Sequence, residues 1–219
     1  MPEGPVAPAD LRSGLGILGG TFNPPHLGHL ALALYAREEL GLERVLLMPA
    51  HGAPHKGVEV DPGPGQRLRM CRLALGDEAG LETCDLEIER GGPSYTVDTL
   101  RAIHASHRET KLTFIVGADM ARTLPDWREP QALLGLADLA VAAREDAARE
   151  EVLGALSALT ARVAFLEMPM VEISSSMVRE RVAEGRPVEE LVGPAVAEYI
   201  AEHDLYRATA DAQAKAAAG

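Results

Sequence analysis

The stretch that most constrains how this chain folds is Gly19-Gly20-Thr21-Phe22-Asn23-Pro24-Pro25-His26-Leu27-Gly28-His29. It follows the apolar run Leu15-Gly16-Ile17-Leu18 and leads into Leu30-Ala31-Leu32-Ala33-Leu34-Tyr35-Ala36, a pattern that reads as strand, glycine-rich turn, then helix. Gly19 and Gly20 permit a backbone approach that a side chain would block. The paired prolines suit the start of a helix, whose first N–H groups have no intrahelical partner. His26 and His29 are three residues apart and share a helix face, and Gly28 leaves the space beside them open. Two imidazoles, free amides and the positive end of the helix dipole then converge on one volume, which suits charge developing on a phosphoryl group. A lone histidine in this place more often caps or lines a surface helix. The whole string is what points to phosphate.

The chain of 219 residues fits one α/β domain, or a domain with a small helical appendage, and is long enough for a sizeable core. Hydrophobic residues at 47% and charged residues at 25% place it among globular proteins. A net charge of −12 argues against broad nucleic-acid binding, while a nucleotide can still be held by a few local donors. The two cysteines, Cys71 and Cys84, have no C-x-x-C spacing and no histidine partners, and read as reduced, mostly buried thiols. Met1–Ser13 carries Pro2, Pro5 and Pro8 with Glu3 and Asp10 but no apolar core, so it is expected to be a disordered lead-in and not a signal peptide. Apolar runs are interrupted by Asp138 and Arg162 before the roughly twenty residues a membrane span needs. A soluble cytoplasmic protein is expected, with no nucleic-acid or membrane partner and with room for a homo-oligomer.

Along the chain, a helix is expected from about Pro25 to Leu40, stopped at Gly41, and Arg44–Met48 reads as a second buried strand. The loop Ala50–Gly57 follows at a strand end, where open α/β sheets bind ligands. His51 and His55 lie in it without a third ligand nearby, which speaks against a metal pair. Lys56 is either a solvated loop lysine or a phosphate contact. Gln66–Leu75 has helical spacing, with Leu68, Cys71 and Leu75 inward and the arginines on a solvated face. Leu81–Ile88 reads as a strand in which Cys84, Leu86 and Ile88 alternate with acids. Arg90–Leu100 reads as a turn and a helix start with Ser94 or Thr96 at the cap, and Tyr95 as a packing residue.

Leu112–Val116 is a short buried strand, and Asp119 beyond it either accepts from ribose hydroxyls or caps the following helix. Trp127, the single tryptophan, sits in a polar, proline-flanked segment and offers either a stacking surface or an anchor to the core. Asp138–Arg144 reads as a strand whose Arg144 meets a phosphate or merely ends it. A helix at about Ala147–Leu159 and a strand at Val163–Leu166 follow. The alternation predicts an α/β fold, a doubly wound Rossmann-like parallel sheet with helices on both faces and a small C-terminal helical part. In Ile173-Ser174-Ser175-Ser176-Met177-Val178-Arg179, three serines bring hydroxyls and free amides to another helix start, with Arg179 one turn in. The expected division is a lead-in at 1–13, one domain at 14–207 with its helical part at about 174–207, and an alanine-rich tail at 208–219.

Thr21–His29 resembles the T/HxGH signature of the nucleotidyltransferase superfamily, whose members transfer a nucleotidyl group from a nucleoside triphosphate and release pyrophosphate. Ile173–Arg179 resembles the same superfamily's I-S-S-T-x-I/V-R signature, with Ser176 in place of threonine and the hydroxyl retained. Pro54-His55-Lys56 is similar to the P-P-H-K segment of bacterial nicotinate-mononucleotide adenylyltransferases, with Ala53 departing at the first proline. Pro93-Ser94-Tyr95-Thr96-x-x-Thr99-Leu100 is similar to their P-S-Y-T-x-x-T-L segment, and Asp119 to Trp127 to their G-x-D and tryptophan region.

The resemblance implies adenylyl transfer from ATP to nicotinate mononucleotide, giving deamido-NAD and pyrophosphate. It also implies roles: His26, His29 and Arg179 stabilise the transition state, while Gly19, Gly20, Thr21, Phe22, Gly28, Ile173, Ser174, Ser175 and Ser176 hold ATP. Asn23, Lys56, Ser94, Tyr95, Thr96, Asp119 and Trp127 face the mononucleotide. His55 and Arg144 contact phosphate, and Mg²⁺ travels with the triphosphate without a protein ligand. A phosphopantetheine adenylyltransferase shares the end motifs but leaves Pro93–Leu100 and Trp127 unexplained. A nucleotide-binding sensor without turnover is the other alternative, against which the intact His26, His29 and Arg179 count.

Overall fold

The computed structural model describes residues 14–52, 60–143, 145–169 and 171–207. Its elements run β1 (Leu15–Gly20), α1 (Leu27–Glu39), β2 (Arg44–Pro49), α2 (Pro64–Leu75), β3 (Leu81–Thr83), α3 (Leu86–Arg90), α4 (Thr96–Ser106) and β4 (Leu112–Gly117). They continue with α5 (Ala118–Thr123), α6 (Pro130–Leu136), β5 (Asp138–Ala142), α7 (Asp146–Ala155), β6 (Val163–Leu166), α8 (Ser175–Ala183), α9 (Glu189–Val192) and α10 (Pro194–Glu202).

The strands form one six-stranded sheet in the order β3-β2-β1-β4-β5-β6, and every pairing is parallel. Parallel strands need crossovers, which cover both faces, so strand residues can be apolar at every position. Odd and even residues then serve different layers: Phe114 and Val116 pack with α4 to α7 on one face, while Ile115 packs with α1 and α2 on the other. Gly16 in β1 is what lets the second layer close, because a Cβ there would lie 2.8 Å from side-chain atoms of both Leu42 and Val45. Strand order reverses between β1 and β4, so their carboxyl ends, Gly20 and Gly117, flank a crevice of the kind where open α/β sheets bind ligands. A third apolar cluster joins Val178, Leu191, Val196 and Ile200 of the C-terminal helices, and Tyr206 in the turn after them, to Met70 of α2. Among the described residues no helix is long and apolar enough to cross a membrane.

The structure departs from the sequence reading in three places. Leu81–Ile88 is not one strand: β3 stops at Thr83, and α3 begins at Leu86. The acid Glu87 points inward rather than out, because the Thr99 hydroxyl donates to its Oε1 at 2.6 Å inside the protein. On α2 the arginines do not share a solvated face, since Arg67 is 1% exposed. The cap of α4 is Tyr95 rather than Ser94 or Thr96, and the Ser94 hydroxyl accepts instead from the His51 N–H at 2.9 Å. Cys71 is buried, which pushes its thiol up to about 12. The lead-in at 1–13, the segment with Ala53, Pro54, His55 and Lys56, Arg144, and the tail at 208–219 lie outside the described residues.

Ile115 is fully buried in the layer over α1. Ile115→Ala is expected to lower stability by about 2–5 kcal/mol, the transfer term plus the cavity it leaves. Urea unfolding measures this, and a loss below about 1 kcal/mol would mean the layer collapses to refill the space.

Candidate active site

The site begins where β1 ends. Phe22 takes a positive φ of 50° and buries its ring under Gly20, where an added Cβ would stand 3.1 Å from the ring. That bend sends the chain into α1, whose N-cap is His26. The His26 backbone N–H donates to Nδ1 of His29 at 3.2 Å, and the two rings lie 3.7 Å apart at 32°. The His29 ring also meets the edge of Phe22 at 4.9 Å. Because Nδ1 of His29 accepts, its ring carries its proton on Nε2, which makes Nε2 a donor.

His26 is 8% exposed, and burial pushes its pKa down to about 4, so it is neutral near pH 7. Its Nδ1 is buried with no hydrogen-bond partner among the described residues. An unpartnered acceptor is less costly than an orphaned buried N–H, which assigns the His26 proton to Nε2 as well. Gly28 makes room for this ring, since a Cβ there would lie 3.0 Å from Nδ1 of His26.

The second serine-rich turn is fastened to the first. Ser174 caps α8 by accepting from the Met177 N–H at 3.1 Å. Ser175 Oγ donates to the Pro24 carbonyl at 2.8 Å, and Arg179 Nη1 donates to the Asn23 carbonyl at 2.7 Å. Arg179 Nη2 also donates to Ser176 Oγ at 3.1 Å, which aims the guanidinium across the helix start. Ile173 leads in, its N–H donating to the Val171 carbonyl. Asn23 is 2% exposed, and its side chain is spent inside the protein: Nδ2 donates to the Val60 carbonyl at 2.8 Å and Oδ1 accepts from Tyr206 at 2.7 Å. These bonds place it to hold the turn.

On the other side of the crevice, the segment after β2 pairs with the segment before α4. The Ser94 N–H donates to the Gly52 carbonyl at 2.9 Å, opposite the His51 to Ser94 bond. Ser94 therefore shapes the loop with both its polar groups, while Tyr95 and Thr96 stand at the start of α4, where first-turn N–H groups lack helical acceptors. The Arg128 guanidinium lies 4.6 Å over the Tyr95 ring. Trp127 is half-buried, anchored by Nε1 donating to Thr123 Oγ1 at 3.0 Å and set edge-on to Phe114 at 6.0 Å. Phe114 in turn borders Gly19 at the end of β1. Asp119 is exposed on α5 with Gly117 as the cap, and its Oδ1 lies back over Gly117.

Sequence reasoning missed Arg67, His51, Asp61 and Tyr206. The signal for Arg67 was Met70 and Cys71 three and four residues on, both apolar, which put it on the buried face of α2. No such signal marks Tyr206, whose partner Asn23 is 183 residues away.

A neutral histidine pair at one helix start, a guanidinium and serines at another, and a topological switch point together define a nucleotide-binding α/β protein that handles phosphate. The cytidylyltransferase-like family matches residues 17–181. A protein of Synechococcus sp. (strain JA-3-3Ab) named "Probable nicotinate-nucleotide adenylyltransferase" is 41% identical over 88% of this chain and 94% of its own length. Another of that name, from Roseiflexus sp. (strain RS-1), is 46% identical over 88% of this chain and 98% of its own. A solved structure of the Plasmodium falciparum nicotinic acid mononucleotide adenylyltransferase complexed with NaAD shares the fold, with a TM-score of 0.70 at 16% identity, covering 89% of this chain and 97% of that one. The chain belongs to the nicotinate-nucleotide adenylyltransferase family, within the cytidylyltransferase-like nucleotidyltransferases.

Burial of neutral His26 has a pH consequence. Its pKa is lower folded than unfolded, so the unfolded chain binds the extra proton, and stability present above about pH 6.5 is lost as pH falls toward about 4. Between pH 7 and pH 4, wild type is expected to lose about 3 kcal/mol more than His26→Gln. Urea unfolding of both proteins at the two pH values checks this, and equal losses would show that His26 titrates normally in the folded state.

Proposed function

We propose that this protein transfers the adenylyl group of ATP to nicotinate mononucleotide, giving deamido-NAD and pyrophosphate. The observation that carries this reading is the fastening of the Ser175–Arg179 helix start onto the Asn23–Pro24 turn, with Trp127 and the start of α4 proposed to line the crevice beside it. Two groups of phosphate-facing donors then meet on one side, and a flat aromatic and free amides offer a place for a pyridine carboxylate on the other. The names of the relatives agree with that acceptor.

In this mechanism an oxygen of the mononucleotide phosphate attacks the α-phosphorus of ATP in line. The new P–O bond forms as the bond from the α-phosphorus to the bridging oxygen breaks, and pyrophosphate leaves with that electron pair. The attacking oxygen is already anionic, so no base has to remove a proton. The protein's part is placement and charge stabilisation. His26 and His29 donate from Nε2 as neutral imidazoles, and Arg179 supplies the fixed positive charge. Lys56 and His55, with Arg144, are proposed as further phosphate contacts. Asp119 is proposed to accept from the ribose of the mononucleotide.

Among the described residues no three His, Cys, Asp or Glu side chains gather as a metal site. We propose that the divalent ion is Mg²⁺ and that it travels with the triphosphate, where it would offset charge on the departing pyrophosphate, without a protein ligand. Substrates of this kind are charged and water-borne, which suits a cytoplasmic reaction.

The test is pyrophosphate release from ATP with nicotinate mononucleotide, nicotinamide mononucleotide or phosphopantetheine as acceptor. Fastest release with nicotinate mononucleotide is expected. Release with phosphopantetheine alone would overturn the acceptor, and no release with any would favour a nucleotide sensor. In the same assay His29→Ala is expected to lower kcat at least about a hundredfold by removing a transition-state donor, and near-normal turnover would remove His29 from that role.

A further inference from the structure

Arg67 lies on α2, outside both phosphate-facing motifs, and its side chain is 1% exposed. Its guanidinium reaches three separate segments. Nη1 donates to the Thr21 carbonyl at 2.7 Å, Nη2 to the His51 carbonyl at 3.0 Å, and Nε to Asp61 Oδ1 at 3.0 Å. Asp61 Oδ1 also accepts from the Gly63 N–H at 2.8 Å, which holds it at the start of α2. Thr21 belongs to the turn that delivers His26 and His29. His51 belongs to the segment that pairs with Ser94 ahead of α4. One planar fork thus touches the segment assigned to ATP and the segment assigned to the acceptor.

Stability alone is a poor reason for that arrangement. Burying a charge costs several kcal/mol after relaxation, and an apolar side chain of similar volume often packs as well or better. A guanidinium does offer several donors in a fixed plane, so it sets the spacing and angle of the two carbonyls it spans. In-line displacement needs that kind of control, because a misplacement of about 1 Å between nucleophile and phosphorus can cost about a hundredfold in rate.

We infer that Arg67 is a positioning residue for adenylyl transfer, holding the Thr21 turn and the His51 segment in register with each other. The inference rests on the proposed function. A lysine at 67 keeps the charge but is a compact point donor on a flexible stem, able to reach one carbonyl and not to span both.

Full-length wild type and Arg67→Lys are compared by pyrophosphate release from ATP and nicotinate mononucleotide. Calorimetry adds the binding of the mononucleotide alone and of a non-hydrolysable ATP analogue alone, with stoichiometry reporting the competent fraction. Each half-site should stay intact while their alignment is lost. The expected result is a kcat at least about tenfold lower, with each dissociation constant within about threefold of wild type and unchanged stoichiometry. A kcat within about twofold of wild type, or a fall in kcat matched by an equal fall in stoichiometry, would overturn the inference. If Arg67→Lys does not fold, Asp61→Ala decides, since it removes the acceptor that holds Nε of the same guanidinium, at a residue whose side chain is 34% exposed. It is expected to lower kcat about threefold at unchanged stoichiometry, and an unchanged kcat overturns the role. Absence of turnover in the wild type overturns the proposed function itself. Turnover that the variants leave alone overturns only Arg67.

Discussion

The carbonyls of the turn from Thr21 to Pro24 hold the site together, because each that is buried must find a donor and the donors come from far along the chain. Arg67 supplies Thr21, Arg179 supplies Asn23 and Ser175 supplies Pro24, across 46, 156 and 151 residues. Tyr206 closes the set from the other end of the chain by donating to Asn23 Oδ1. Burial raises the Tyr206 pKa, with Asp61 adding to it, so the hydroxyl keeps its proton and remains a donor. A hydrogen bond to a charged group contributes about 1.5–3 kcal/mol and a neutral one about 0.5–1.5 kcal/mol, so the two guanidinium contacts lead in fixing a turn with no ladder of its own. The C-terminal part of the chain is consequently tied into this turn rather than hung beside it.

The electrostatics follow from the same packing. A chain of net charge −12 draws its local positive character from Arg179, from helix starts and from ring N–H groups. His26 contributes as a dipole and not as a cation, since the burial that fixes its ring also keeps it neutral. The arrangement offers donors whose orientation is set before a substrate arrives, and such preorganised donors are what stabilise developing charge.

Much of this was legible in the sequence. The strands Leu15–Gly20, Leu112–Gly117 and Val163–Leu166 announce themselves because a parallel sheet covered on both faces needs continuous apolar runs. The two turns that lead into α1 and α8 were legible because glycine, proline and serine ahead of a helix mark its start. What escaped depended on partners distant in sequence. Glu87 reads as an exposed acid until Thr99 reaches it, and Arg67 reads as a solvated arginine until Thr21 and His51 fold back over it. Ser94 fits a helix cap by its spacing, yet the neighbouring His51–Gly52 segment claims both its polar groups. Asn23, expected as a ligand contact, also joins distant parts of the chain, which its sequence neighbours do not signal.

The central claim is that both histidines act as neutral donors and that the acceptor phosphate attacks ATP directly. The His26 N–H occupies the Nδ1 lone pair of His29, and the Nδ1 of His26 is buried in the protein. Stereochemistry at the α-phosphorus decides this most directly. With a single diastereomer of the α-thio analogue of ATP and nicotinate mononucleotide, phosphorus NMR of the product should show inversion of configuration. Retention would mean two displacements through a covalent adenylyl-enzyme and would contradict the account.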